Sequence, residues 1–285
     1  MNQYNDFMGS GTVANDSGRT HFIRATSDVG FKIIMSDPRI AEALINELFE
    51  HIHIASVSIT SPGKLKVPLH GRGPLATIEH HAIMENQEHI IIEMQMIRHD
   101  SFDRRTLFYA ASAFARQEVE GDEWASRIRK IKSVYSIQFV DYFTHGGIPI
   151  KCYEMVNKFS PEPNANEELL PLETLPGIHM IQVELKGEGI RDLKFPASGK
   201  LSNLEWWYYM IKYSDQFDAD EIKRCRGLGM PECIAQALEK LEYSSLDPQK
   251  QAEYVTEVKN IDTNNKELER AALKAELKGL EEKSN

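Results

Sequence analysis

Apolar positions recur at helical spacing between Val29 and His51, at Phe31, Ile34, Met35, Ile40, Leu44, Ile45, Leu48 and Phe49. Asp37-Pro38 interrupts the run, and that pair suits a fresh N-cap followed by a first-turn proline. The pattern predicts a short helix ending near Met35 and a longer one from about Pro38 to Phe49. Ser56 to Gly73 carries Pro62, Gly63, Pro68, Gly71 and Gly73, which predicts loop with at most a short strand. Two β-like runs follow, Leu75 to Met84 and His89 to Ile97, around the hairpin punctuation Glu85-Asn86-Gln87-Glu88. A helical stretch from about Phe102 to Val119 stops at Glu120-Gly121-Asp122, and Val134 to Val140 reads as a buried strand. The order helix, hairpin, helix, strand is an α/β plan.

Past Tyr142, Met180 to Leu185 alternates as a strand does, and Leu204 to Tyr213 forms an aromatic helix expected to pack back onto the core. Phe159 to Pro176 is acidic and proline-bearing, which suits a surface loop. From Asp262 charges alternate at helical spacing (Glu267, Arg270, Lys274, Lys278), as on a solvated helix, and a homo-oligomer formed through this helix is the self-association to consider. These signals divide the chain into a flexible leader over 1–20, a main domain over 21–215 and a charged helical extension over 216–285.

Composition narrows the function classes without naming one. With 285 residues, 41% of them hydrophobic, the chain can bury one substantial core. No apolar run reaches membrane-spanning length, and Met1 to Thr20 is polar, unlike a signal peptide. The three cysteines, Cys152, Cys225 and Cys233, show no C-x-x-C spacing, so reduced thiols in a cytoplasmic protein are expected. A net charge of −10 argues against gripping nucleic acid by bulk attraction. It leaves room for a local basic groove, because screening confines such fields to roughly 10 Å.

The hairpin concentrates the chemistry. A turn centred on Asn86 pairs Glu79 with Glu93, His81 with Ile91 and Thr77 with Gln95. Alternation then puts Ile91, Glu93 and Gln95 on one face with Thr77, Glu79 and His81. Two carboxylates facing each other across strands repel unless a cation or proton lies between them. Glu93 sits inside Ile90-Ile91-Ile92-Glu93-Met94, where an unpartnered carboxylate is costly to bury. Mg²⁺ answers both problems, since it prefers one or two carboxylates and keeps waters. The other reading is an edge strand whose two glutamates face water.

Asp28-Val29-Gly30-Phe31-Lys32 ahead of a long helix resembles the N-terminal signature of the PD-(D/E)XK nuclease family transposases, the recombination-promoting nucleases. Glu93-Met94-Gln95 resembles that family's E-x-Q variant of the E-x-K motif, and Phe102-Asp103-Arg104-Arg105 with Tyr109 resembles the helix that follows. The likeness runs from about Ser27 to the C-terminus and is sharp from Glu79 to Tyr109. It implies a restriction-endonuclease-like α/β core, a central mixed sheet flanked by helices, with the helical C-terminal extension. It also implies a DNA endonuclease of mobile-element type, hydrolysing phosphodiesters with Mg²⁺ or another divalent cation. By that resemblance Glu93 is a metal ligand, and Gln95 stands where the wider superfamily has a lysine that positions water and the scissile phosphate. Glu79, the second ligand, stands where the family usually has aspartate. The added methylene displaces the carboxylate, and a misplacement near 1 Å can cost about 10²-fold in rate. The alternative is a catalytically degenerate fold that binds DNA or a protein.

Asp28 and Lys32 are either an acid and a base of the active site, or a helix cap and its neighbouring ion pair. Arg104 and Arg105 are candidates for phosphate contacts, since the guanidinium fork suits bidentate pairing; a solvated helix face is the plain alternative. His51, His53, His80 and His81 lack the H-E-x-x-H or Cys/His pattern of a zinc site. His81 faces the carboxylate side in the expected register. Trp206-Trp207-Tyr208-Tyr209 is expected to be core rather than a base-stacking platform. Arg127 to Lys132 is the most basic stretch available to DNA.

Overall fold

A computed structural model describes residues 21–55, 58–68, 75–97, 101–117, 130–142, 148–153, 177–263 and 266, with the side chains of 60–68 and 75–79 outside that description. Helix α1, Asp28–Met35, and helix α2, Pro38–His51, open the fold as expected. Ser27 caps α1 by accepting from the Gly30 amide at 2.9 Å, and Asp37 caps α2 by accepting from the Arg39 amide at 3.0 Å. Gly30 is there for space: a Cβ would stand 2.1 Å from the Arg24 carbonyl oxygen.

The sheet has six strands: β1 Ile59–Pro68, β2 Leu75–Met84, β3 His89–Gln95, β4 Val134–Val140, β5 Ile150–Tyr153 and β6 Ile178–Glu184. Their spatial order is β1-β2-β3-β4-β6-β5, with β3, β4 and β6 parallel and the other neighbours antiparallel. The ten-residue β1 corrects the loop expected over Ser56 to Gly73. Prolines are tolerated because β1 is an edge strand, and its pairing with β2 shifts register between Ile59 and Ser61 and between Gly63 and Leu65. The short β5, at the other edge, was not signalled by any alternation.

Helix α3, Phe102–Ala115, covers one face of the sheet through Ala110 and Ala113, which cluster with Ile91 and Val134. The opposite face carries the main core. There Ile90, Ile92, Ile137, Phe139, Ile181 and Val183 meet α1, α2 and helix α4, Asn203–Tyr213. Trp206, Trp207, Tyr208 and Tyr209 of α4 are all buried, which makes the aromatic run core. Helices α5, Ala219–Gly227, and α6, Glu232–Lys240, add Ile222, Cys225, Ile234 and Leu238 to this same core. Helix α7, 248–263, returns to α1: Glu257 accepts from the Asp28 and Val29 amides at 2.5 and 3.2 Å. Among the described residues no helix is long and apolar enough to cross a membrane.

Candidate active site

The hairpin register is the one the sequence predicts. His80 pairs with Ile92, His81 with Ile91, Ala82 with Ile90 and Ile83 with His89. Asn86 shapes the turn by accepting from the Glu88 amide at 3.1 Å, and Gln87 takes the left-handed conformation with φ 69°. The described pairing ends at His80 and Ile92, one residue short of Glu79 and Glu93. The Glu79 side chain lies outside the described residues, so whether the two carboxylates converge does too.

Glu93 and Gln95 follow Ile91 on the face covered by α3, and α3 delivers Arg105 to both. An Arg105 terminal nitrogen donates to Gln95 Oε1 at 2.8 Å and lies 3.9 Å from Glu93 Oε2. Gln95 Nε2 in turn donates to the Ile97 carbonyl at 2.8 Å. The guanidinium also lies over the Phe102 ring, 5.3 Å from its centroid. Only 16% of the Glu93 side chain is exposed. Burial pushes its carboxyl above the ordinary value, and Arg105 pulls it part of the way back. Tyr109, one turn along α3, is held above the ordinary phenol value by burial and then by the Glu93 charge, so it too belongs to this group.

Sequence reasoning missed the polar row that continues from Glu93. In register, Glu93 lies beside Gln138 of β4, Gln138 beside Gln182 of β6, and Gln182 beside Lys151 of β5. Gln138 and Gln182 are buried, and Lys151 reaches the fully buried Glu184 at 3.1 Å. The signal was present as polar residues at every second place in apolar strands, but only the sheet order aligns them. Asp141, just past β4, is a further neighbour: its amide donates to the Gln95 carbonyl at 3.0 Å.

The remaining predicted residues lie apart. Asp28 and Lys32 pair with each other at 2.6 Å on the solvent-facing side of α1. They line a cleft of about 450 Å³ with Ile33, His80, Ile92 and Lys250, and neither Glu93 nor Gln95 lines it. The ion pair is the one that the second reading anticipates, but the cap of α1 is Ser27, not Asp28. Arg104 is exposed on α3. Of the basic stretch, Arg127 to Arg129 lie outside the described residues, as do Phe159 to Pro176 and most of the charged tail. His81 and His89 satisfy each other, with Nε2 and Nδ1 2.8 Å apart.

Among the described residues no three His, Cys, Asp or Glu side chains form a ready metal site. The donor chemistry at Glu93 nevertheless fits a hard cation: a desolvated anionic oxygen ligand, bordered by neutral amides. It does not fit zinc, whose preferred nitrogen and sulfur ligands are not gathered there.

A carboxylate strand with E-x-Q, set in a hairpin and followed by a helix and a parallel strand, defines a nuclease-like α/β protein of the restriction-endonuclease type. The chain belongs to the PD-(D/E)XK nuclease family transposases, whose sequence model matches residues 25–271. No curated protein and no solved structure matches it.

Proposed function

We propose that this protein is a metal-dependent DNA endonuclease of the kind that accompanies mobile elements. The observation that carries the reading is Glu93, a nearly buried carboxylate whose strand face it shares with Gln95 and whose charge is met by Arg105. A divalent cation held by Glu93 and Glu79 supplies water activation and charge neutralisation at phosphorus. Gln95 then orients the water through its amide, and Arg105 offers a charged donor to a phosphate oxygen. The buried amides Gln138 and Gln182 keep the floor beside Glu93 polar without adding charge. Incubating the full chain with supercoiled plasmid and Mg²⁺ tests the proposal. Nicking by the wild type and its loss in Glu93→Ala are expected; no nicking, or equal nicking in both, overturns it.

A second reading, a DNA- or protein-binding module on an inactive nuclease fold, draws on one observation. Both ends of the Gln95 amide are bonded and Arg105 already stands against Glu93. That reading expects duplex DNA or a protein partner to be retained with no cleavage under any divalent ion.

A further inference from the structure

Arginine carries its bidentate capacity on two adjacent edges of a flat fork, and each edge is satisfied by a two-oxygen acceptor. Arg105 meets something less. One terminal nitrogen donates to the single oxygen of the Gln95 amide, and its approach to Glu93, at 3.9 Å, is an ion pair outside hydrogen-bond range. The adjacent Nε is buried and has no hydrogen-bond partner among the described residues. An unsatisfied charged donor is costly, so this arrangement is one that a better acceptor displaces.

The fold supports such a displacement. Phe102 and Thr106 are buried and anchor α3, so the helix is a rigid base for the side chain. The Phe102 ring lies under the guanidinium, its centroid 5.3 Å away. With 40% of its side chain exposed, Arg105 also reaches solvent.

Charge dictates when the displacement happens. Glu93 and Arg105 together are neutral. A divalent ion arriving at the carboxylate leaves an excess of two positive charges and places a cation beside the guanidinium. A phosphodiester backbone supplies negative charge and pairs of oxygens that suit the fork.

We propose that Arg105 is an exchangeable counter-ion, standing in for the metal at Glu93 in the cation-free protein and passing to a backbone phosphate of the nucleic acid when the cation binds. This inference rests on the reading of Glu93 as a cation ligand. It makes Arg105 a competitor of the metal as well as a contact for the substrate, a combination that neither a structural nor a purely DNA-binding arginine has.

Mn²⁺ is the probe, titrated into the full-length chain without DNA at about pH 8 and followed by its paramagnetic resonance signal. Arg105→Gln is expected to bind Mn²⁺ about tenfold more tightly than wild type, since it removes a cation a few ångströms from the site. The same variant is expected to nick plasmid at least about tenfold more slowly, because the phosphate contact is lost. Arg105→Lys keeps the charge and is expected to hold Mn²⁺ near the wild-type affinity while still losing rate, which separates charge from folding. Unchanged or weaker Mn²⁺ binding in Arg105→Gln, with Arg105→Lys alike, overturns the exchange and leaves the reading of Glu93 intact. Absence of any wild-type Mn²⁺ binding that Glu93→Gln abolishes overturns that reading, and the exchange with it.

Discussion

Replacing Gln95 by lysine converts E-x-Q into the E-x-K of the wider superfamily, and the structure says that this chain will not tolerate it on its own. Gln95 Oε1 accepts from Arg105 at 2.8 Å, and an ammonium cannot accept. The first loss is a hydrogen bond to a charged group, worth about 1.5–3 kcal/mol. The second is repulsion between two cations at contact, about 4 kcal/mol at an effective dielectric of 20 and about 1 in water. Arg105 is 40% exposed, so screening puts this second contribution near its lower end. The expected cost of Gln95→Lys is therefore about 2.5–4 kcal/mol, read from urea denaturation at unchanged slope. Arg105→Gln should absorb much of it. In a double-mutant cycle the pair should show a coupling of at least about 1 kcal/mol. A Gln95→Lys protein within about 0.5 kcal/mol of wild type, or a cycle that closes with no coupling, would refute the claim that Arg105 dictates glutamine at this place.

Two stability predictions test other parts of the frame. Asp37 caps α2 and also pairs with Lys240 at 3.2 Å; burial alone would raise its carboxyl, but the bonds from Arg39 and Lys240 hold it down at about 2. A depressed carboxyl stabilises above its unfolded value and loses that contribution as pH falls through about 2. Asp37→Ala should thus cost about 1–2 kcal/mol near neutrality and progressively less in acid, whereas an equal cost at both ends of a pH series of urea melts would contradict the assignment. His81 is held neutral, down to about 4, by burial and then by His89. Its lowered value means the unfolded chain takes up a proton first, so stability falls as pH drops from about 6.5 to about 4, by roughly 3 kcal/mol if no other group compensates. His81→Gln should flatten that part of the stability profile, and a profile of unchanged slope would show that the His81–His89 contact is not what titrates.

Much of the frame was legible because local rules and tertiary packing agree. Asp37-Pro38 broke one apolar run into two helices, and the expected Asp37 cap is in place, whereas α1 is capped by Ser27 rather than Asp28. The turn at Asn86 set the hairpin register, since a one-residue slip would have carried Ile90 and Ile92 out of the core. The strand β1 was illegible because its prolines argue against a strand everywhere except at a sheet edge, and edge position is a property of the assembled sheet. The four-residue β5 is too short for any period to show.

The same division holds at the site. By itself the sequence determined that a carboxylate and an amide, Glu93 and Gln95, share one face of a strand, because side-chain alternation needs no partner to operate. It also determined the family, through motifs whose order survives in the linear chain. Only the tertiary structure decided what meets them. Arg105 is ten residues from Gln95 along the chain but bonded to it in space. Gln138, Gln182 and Lys151 come from three other strands and align with Glu93 because the sheet order places them so. Asp28, read beside Glu93 as a site residue, sits with Lys32 at a separate cleft, since α1 packs against the opposite sheet face through Phe31 and Phe139. Alternation is a property of one strand, whereas neighbourhood across a sheet is set by burial of the whole core, which no local pattern encodes.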